Sequence, residues 1–342
     1  MKYVPVLRYR REERAALRSV KLTEKTMPLI EIMKERAGLV RSGDFAETHL
    51  EDFKAYNYPF MVDFPIYFHV TNSTTKNIRD FLRGLKLKPS DRLTFFEHLI
   101  TNKFMIPVIS YDTESSYIPG TYQNDCIRLR TNFKRLGFRI FETNDFDVVI
   151  TDIKKVLTNQ DILIYDIDDI PHTQDIIKKR YDIINELKSK FGCKSVVIRA
   201  AISSNIVLNR LIDDSPISKA DNSLLKEYAK YGFDAFGDFA GIRKDTTITD
   251  GGPEDPSPGF LFYSWMYNSY IGYKGRFSDW QEFTNHIKPT VMKSTYWNDY
   301  STQHHSQCPG CLSISNIPTN GAGNWKRYTI QHYLTTMEEF LI

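Results

Sequence analysis

Short apolar runs that end on a charged residue recur along this chain, with helix-like stretches between them. The runs are Met27-Pro-Leu-Ile-Glu-Ile32, Pro59-Phe-Met-Val-Asp-Phe64, Met105-Ile-Pro-Val-Ile-Ser-Tyr-Asp112, Phe138-Arg-Ile-Phe-Glu142, Asp161-Ile-Leu-Ile-Tyr-Asp-Ile-Asp168, Lys194-Ser-Val-Val-Ile-Arg199 and the segment Phe233 to Asp238. Runs of four to eight residues, apolar on both faces and separated by helices, predict a mostly parallel sheet with crossover helices. Helices are expected around 45–56 and over 74–85, 89–102, 126–136, 146–157, 173–191 and 223–231.

Counting Phe260-Leu-Phe-Tyr-Ser-Trp265 as an eighth strand gives the number a closed barrel needs. The fold expected is therefore an irregular (β/α)8 TIM-like barrel, with an open doubly wound parallel sheet as the alternative. The irregularity lies before that eighth strand. There the connection Asp250-Gly-Gly-Pro-Glu-Asp-Pro-Ser-Pro-Gly259 is rich in turn formers and shows no clear helix. The opening run Tyr3 to Tyr9 is a further β-type segment outside that count. Residues 1–290 are assigned to the barrel-like domain, and residues 291–342 to an aromatic, Cys- and His-containing extension packed on it.

With 342 residues, 41% hydrophobic and 25% charged, the chain can bury a large core and is neither disordered nor fibrous. A formal net charge of +3 is too small to announce nucleic acid without clustered bases. No run approaches a membrane span, and the first residues carry Arg8, Arg10, Arg11 and Arg14 rather than an apolar leader core. Four cysteines, unevenly spaced, make no disulfide framework. Together these predict a cytoplasmic protein with no membrane partner.

In a parallel sheet all strand ends of one sense share one face, where sites form in barrels. Glu31, Asp63, Asp112, Glu142, Asp166, Asp168, Arg199 and Asp238 stand at such ends. Their carboxylates suit a divalent cation such as Mg²⁺, or an acid and base pair; solvated strand ends are the bland alternative. Glu31, Asp63 and Asp238 are the candidate metal ligands or general base, and Arg199 with Arg243 the candidate phosphate partners. After Asp238 come Ala240-Gly241, where backbone amides can approach a ligand, and Arg243-Lys244, which can meet an anion. Asp166, Asp168 and Trp265 complete the candidate ligand-binding set. No dinucleotide fingerprint or P-loop occurs.

A second cluster is His304-His305-Ser-Gln-Cys308-Pro-Gly-Cys311. A Cys-Pro-x-Cys knuckle with a histidine nearby can offer two thiolates and an imidazole to Zn²⁺, so His305, Cys308 and Cys311 are the candidate metal ligands. A fourth ligand would come from His304, His332 or the distant Cys126 and Cys193. An ordinary reduced turn and a redox-active pair are the competing readings. Around this cluster Trp297, Tyr300, Trp325, Arg327, Tyr328 and Tyr333 interleave rings with bases, a pattern that either stacks on single-stranded nucleic acid or packs a cap.

The chain resembles the family of beta proteins, of phage-related and bacterial origin. The likeness lies in Tyr3-Val-Pro-Val-Leu-Arg8 with Glu13 and Ala16-Leu17, in Pro28-Leu-Ile-Glu31, and in Phe236-Gly-Asp-Phe-Ala240. It continues in Ser264-Trp265 with Tyr270-Ile271, in Gly323-Asn-Trp325 and in His332-Tyr-Leu-Thr335. The resemblance implies a phage or mobile-element setting, in host defence or its counter, and carries no catalytic residues. The functional expectation is an anionic ligand, a nucleotide or nucleic-acid strand, bound at the strand-end face, with metal-assisted hydrolysis as an extension. The alternative, from the absence of a complete catalytic motif, is a non-enzymatic module that binds a partner protein through the loop at 250–259 and the aromatic tail.

Overall fold

Alternation with a period of two divides each short strand between two different cores. The computed structural model describes residues 1–34, 49, 52–54, 56–65, 67, 68, 70–72, 74–100, 102–111, 118–142, 145–244, 258–316 and 321–341. Its strands are β1 (Tyr3–Arg8), β2 (Leu29–Glu31), β3 (Phe60–Asp63), β4 (Met105–Ser110), β5 (Gly137–Phe141), β6 (Ile162–Asp166), β7 (Lys194–Ile198), β8 (Ser215–Pro216), β9 (Ala235–Asp238), β10 (Gly259–Ser264) and β11 (Ser269–Lys274). Eight of them, β1 to β7 and β9, close a parallel barrel. The closure is made by β1, which pairs with β2 through Val6 and Leu29 and with β9 through Val4 and Gly237. A sheet whose first strand is paired on both sides has no open edge, so the doubly wound alternative is excluded.

One strand assignment differs from the sequence expectation. The run at Phe260–Trp265 is not the eighth barrel strand; β10 pairs antiparallel with β11, which pairs with β8 in a separate three-stranded sheet. The opening run Tyr3–Arg8 takes the missing place. The cause is local, because a tight turn joins β10 to β11, with Asn268 at positive φ, and a hairpin can only be antiparallel. The Asp112 strand end, most of the loop at 250–259 and most of the helix expected at 45–56 lie outside the described residues.

Inside the barrel, Val4, Val6, Leu29, Met61, Val108 and Ile164 form a core of their own. Their neighbours in sequence, such as Leu7, Ile30, Val62, Phe138, Leu163 and Val197, face outward into a larger core shared with the surrounding helices. Those helices include Arg11–Ser19, Lys76–Leu87, Thr121–Leu129, Phe146–Ile153 and Asp175–Phe191. A third core joins Phe260, Phe262, Ile271 and Tyr273 of the antiparallel sheet to Phe283, Trp297, Tyr300, Cys308, Cys311 and Trp325. This core begins in the chain at Phe260, upstream of residue 291.

The helix Ala322–Phe340 is the joint between the two sides. Its Ile330, Tyr333, Leu334 and Met337 enter the barrel-side core, while Trp325 and Tyr328 enter the third. Polar ties reinforce the packing: Gln331 Nε2 donates to Ser19 Oγ at 2.6 Å and Lys326 Nζ to Glu13 Oε1 at 2.8 Å. Among the described residues no helix is long and apolar enough to cross a membrane.

Candidate functional site

The inward set changes character at the C-terminal ends of the strands. Arg8, Glu31, Asp63, Ser110, Arg139 and Asp166 are buried there, in line with the apolar interior positions below them. Arg139 is the centre. Its Nη1 donates to Glu31 Oε1 at 2.7 Å and to Asp63 Oδ2 at 3.0 Å. Its Nε and Nη2 both reach Asp166 Oδ2, at 3.1 and 2.5 Å. Ser110 Oγ donates to Asp63 at 2.7 Å and Tyr67 Oη to Glu31 at 2.5 Å, while Arg8 Nε lies 3.6 Å from Glu31 Oε2.

Burial sets the proton equilibria of this group in different directions. Asp63 is pushed up to about 6 because burial penalises its charge more than Arg139 and Ser110 favour it. Burial also pushes Asp166 upward, but Lys244 and Arg139 outweigh it and hold the carboxyl below its ordinary value. The Tyr67 hydroxyl is held well above its ordinary value by burial and by Glu31, so it is a neutral donor.

The carboxylates expected to converge on a cation converge instead on a guanidinium. Arg139 fills the point where a Mg²⁺ would need to sit, and its charge satisfies three acids at once. The charged end of this run in the sequence is Glu142, yet counting in twos from Gly137 puts Arg139 inside the barrel. Glu142 instead takes a hydrogen bond from Tyr165 and pairs with Arg180. Lys244 caps this group: its Nζ donates to Asp168 Oδ1 at 2.9 Å and lies 4.8 Å from the Tyr67 ring centre.

Asp238 does not join them. Ala235 and Phe239 belong to the barrel interior, so Asp238 faces outward, towards the helix Ala322–Phe340. It accepts hydrogen bonds from Tyr3 Oη at 2.6 Å, from Tyr333 Oη and from the Ala240 amide at 2.9 Å. Arg199 is likewise turned to the loops, donating to the Ile170 carbonyl at 2.8 Å and to Asp221 Oδ2 at 3.0 Å. Trp265 stacks on Phe340, ring centres 5.3 Å apart.

Gly241 shows why this loop is glycine-bearing. It stands at φ +79°, and a Cβ there would lie 2.9 Å from Tyr333 Cβ. Gly241→Ala is expected to lower stability by about 1–3 kcal/mol, from left-handed backbone strain and collision with the helix, measured by urea unfolding.

Beside Gly241 a cleft opens over the strand-end face. It has a volume of about 420 Å³ and is bounded by Arg10, Ile242 and Arg243 after β1 and β9, by Phe260 and Leu261 of β10, and by the first turns of the helix Ala322–Phe340. Its charged lining among the described residues is basic throughout: Arg10, Arg243 and Lys326. The helix that starts at Ala322 and Gly323 adds the positive end of its dipole to the same wall. Trp325 is already sandwiched, stacked on Phe283 at 5.1 Å and edge-on to Phe260 at 5.0 Å, so it offers an apolar wall rather than a free stacking face.

In the C-terminal side, His304, Cys308, Cys311 and His332 bring their ligand atoms within 4.8 Å of one another, all buried. His305 stands apart. Its ring stacks on Trp297 at 4.2 Å and its Nε2 lies 3.1 Å from the Trp297 carbonyl, which leaves His304 and His332 as the imidazoles beside the two thiols. Cys126 and Cys193 lie outside the group; burial pushes their thiols up to about 12 and about 11, so neither is a thiolate near neutrality.

No curated protein matches this chain. A family model described as Beta protein matches residues 3–338. The match runs from the first barrel strand, through the Arg139 group, the basic cleft and the Cys and His cluster, into the last helix, and on that extent the chain belongs to the Beta protein family.

Proposed function

We propose that this chain binds a small phosphate-bearing ligand, such as a nucleotide or a nucleic-acid end, in the cleft over the strand-end face. The observation that carries the reading is the lining: Arg10, Arg243 and Lys326 around one concavity, with no acidic residue among its described walls, Lys326 being shared with Glu13. Guanidinium groups fork onto phosphate oxygens, and amides at a helix start favour the same anion. Leu208, Ile242, Phe260 and Leu261 supply an apolar surface for the rest of the ligand. Arg243 is anchored by donating to the Ile206 carbonyl, which fixes its guanidinium at the cleft wall.

Metal-assisted hydrolysis at the strand ends is no part of this reading, since Arg139 occupies the centre of the carboxylates. The setting in phage defence or counter-defence belongs to the same proposal and rests on the family resemblance. The partner-protein alternative depends on the loop at 250–259, most of which lies outside the described residues.

A thermal-shift series with inorganic phosphate, AMP, ADP and ATP, without added metal, tests the cleft. A true ligand at a hundredfold excess over Kd stabilises by about 2.7 kcal/mol. Arg10→Ala and Arg243→Ala each should weaken that ligand roughly 10- to 100-fold, the worth of a charged hydrogen bond. Equal responses of the wild type and both variants to every anion would reject the cleft as the site.

A further inference from the structure

The Cys and His cluster has an electronic problem that its own protons solve poorly. His332 Nε2 lies 2.9 Å from the Tyr263 carbonyl, which can only accept, so Nε2 carries the hydrogen and Nδ1 presents a lone pair. His304 Nδ1 lies 2.5 Å from Glu339 Oε2, so it too carries a hydrogen, and in the neutral ring a metal requires its Nε2 presents a lone pair. These two lone pairs face each other across 3.3 Å. The sulfurs complete the group, with Cys311 Sγ 3.5 Å and Cys308 Sγ 3.9 Å from His332 Nδ1.

Four electron-pair donors therefore point into one buried space. Two of the spacings, 3.3 Å between the nitrogens and 3.5 Å from Cys311 Sγ to His332 Nδ1, match a known geometry, and the whole set, within 4.8 Å, is slightly wider than it. Zinc bonds of about 2.0–2.1 Å to nitrogen and 2.3 Å to sulfur give tetrahedral edges of about 3.3 Å between nitrogens and about 3.5 Å between nitrogen and sulfur. Two thiolates with one Zn²⁺ and two neutral imidazoles sum to no net charge, which removes the main objection to burying the ion.

We propose that His304 Nε2, Cys308 Sγ, Cys311 Sγ and His332 Nδ1 hold a structural zinc ion. All four side chains are buried, at 1%, 0%, 0% and 1% exposure, so no coordination position faces solvent and the ion is not a catalytic one. The surroundings are those of a zinc knuckle. The Cys311 amide donates to Cys308 Sγ at 3.4 Å, and Glu339 with the Tyr263 carbonyl orients the two imidazoles from outside. The close approach is built into the backbone as well: a Cβ on Gly310 would lie 2.5 Å from the Tyr328 carbonyl oxygen and 2.8 Å from the His332 amide. Only glycine lets the Cys-Pro-Gly-Cys turn reach the helix that carries His332.

The ion ties two stretches of the chain directly and a third through a hydrogen bond. It joins the helix Thr302–Gln307 and the Cys308–Cys311 turn to the helix Ala322–Phe340, and through the Tyr263 carbonyl to β10. This proposal stands apart from the cleft, since neither needs the other.

The test is metal analysis of the reduced full-length protein, followed by replacement with cobalt chloride. Expected are one equivalent of zinc and, after exchange, the visible absorption of tetrahedral Co²⁺ bound by two thiolates. Cys308→Ser with Cys311→Ser, and separately His332→Ala, should abolish stoichiometric zinc, whereas His305→Ala should keep it. Glu339→Gln should weaken zinc roughly 10- to 100-fold while leaving it detectable. Because the ligand variants can fail to fold, the wild-type cobalt spectrum decides independently. A reduced wild-type protein with neither zinc nor a thiolate–cobalt spectrum overturns the proposal.

Discussion

Arg139→Met will destabilise the protein by about 3–5 kcal/mol, the cost of removing one partner from a buried ion group, and by more if all three acids stay charged. The guanidinium is fully buried and is the shared partner of Glu31, Asp63 and Asp166. Methionine fills much of the volume and donates nothing to the carboxylates, so the loss is electrostatic rather than a cavity. The loss depends on pH. Without Arg139 burial is less opposed at Asp63, which rises further above its ordinary value, and Asp166 loses one of the charges that hold it down; a carboxyl whose folded pKa is raised stabilises the fold at low pH and loses that stability as pH rises through the folded value. The deficit of the variant should therefore shrink on acidification. Adding Glu31→Gln, Asp63→Asn and Asp166→Asn to Arg139→Met should recover much of the stability at neutral pH, since a neutral replacement of a whole buried ion group costs little. Urea unfolding of the wild type, single and quadruple variants from pH 4 to pH 7 measures this. A single variant as stable as the wild type at neutral pH would mean that the group is not the electrostatic keystone of the barrel mouth.

Asp238→Ala is the second large effect, at about 2–6 kcal/mol. It leaves the Tyr3 and Tyr333 hydroxyls, both fully buried, without their acceptor, each at a cost of roughly 1–3 kcal/mol. The contact joins the first strand, the eighth barrel strand and the last helix, so its loss should also raise proteolysis of the C-terminal side. Asp238→Asn separates charge from shape. Burial pushes Asp238 up to about 6, against the pull of the Tyr3, Tyr333 and Ala240 hydrogen bonds, from an ordinary value of 3.8. A raised folded pKa means stability is greatest below pH 3.8 and is lost as pH rises through about 6. The rise from 3.8 to about 6 corresponds to about 3 kcal/mol of pH-dependent stability. The wild type should lose about 2 kcal/mol of that relative to Asp238→Asn between pH 4 and pH 6. Parallel stability profiles for the two would show that the carboxyl is ionised at little cost and that the burial argument fails.

Much of the barrel mouth is legible in the sequence. Glu31, Asp63 and Asp166 end apolar runs, and a parallel sheet places such ends on one face whatever its closure. Arg139 is within reach too, because the count of two from Gly137 aims it inward, but Glu142, the last charged residue of that run, carries the stronger local signal. Asp238 is not legible in the same way. Ala235-Phe-Gly-Asp238 is apolar or small on both faces, and with no polar alternation nothing in those residues states which face turns into the barrel. The cleft is half visible: Arg243 stands out in its loop, whereas Arg10 and Lys326, far apart in sequence, meet it only through the fold.

The local order of residues is enough to set element type, the repeating strand and helix unit, the charged strand ends and the Cys-Pro-Gly-Cys turn, because each depends on neighbours a few positions away. Pairing in space settles the rest. Whether Tyr3–Arg8 or Phe260–Trp265 completes the barrel depends on which edge β9 meets, a contact more than 200 residues long in sequence for β1. Whether His304 or His305 joins the thiols depends on which side of a short helix faces His332. Both outcomes turn on burial shared between distant segments, and no local pattern encodes the partner that supplies it.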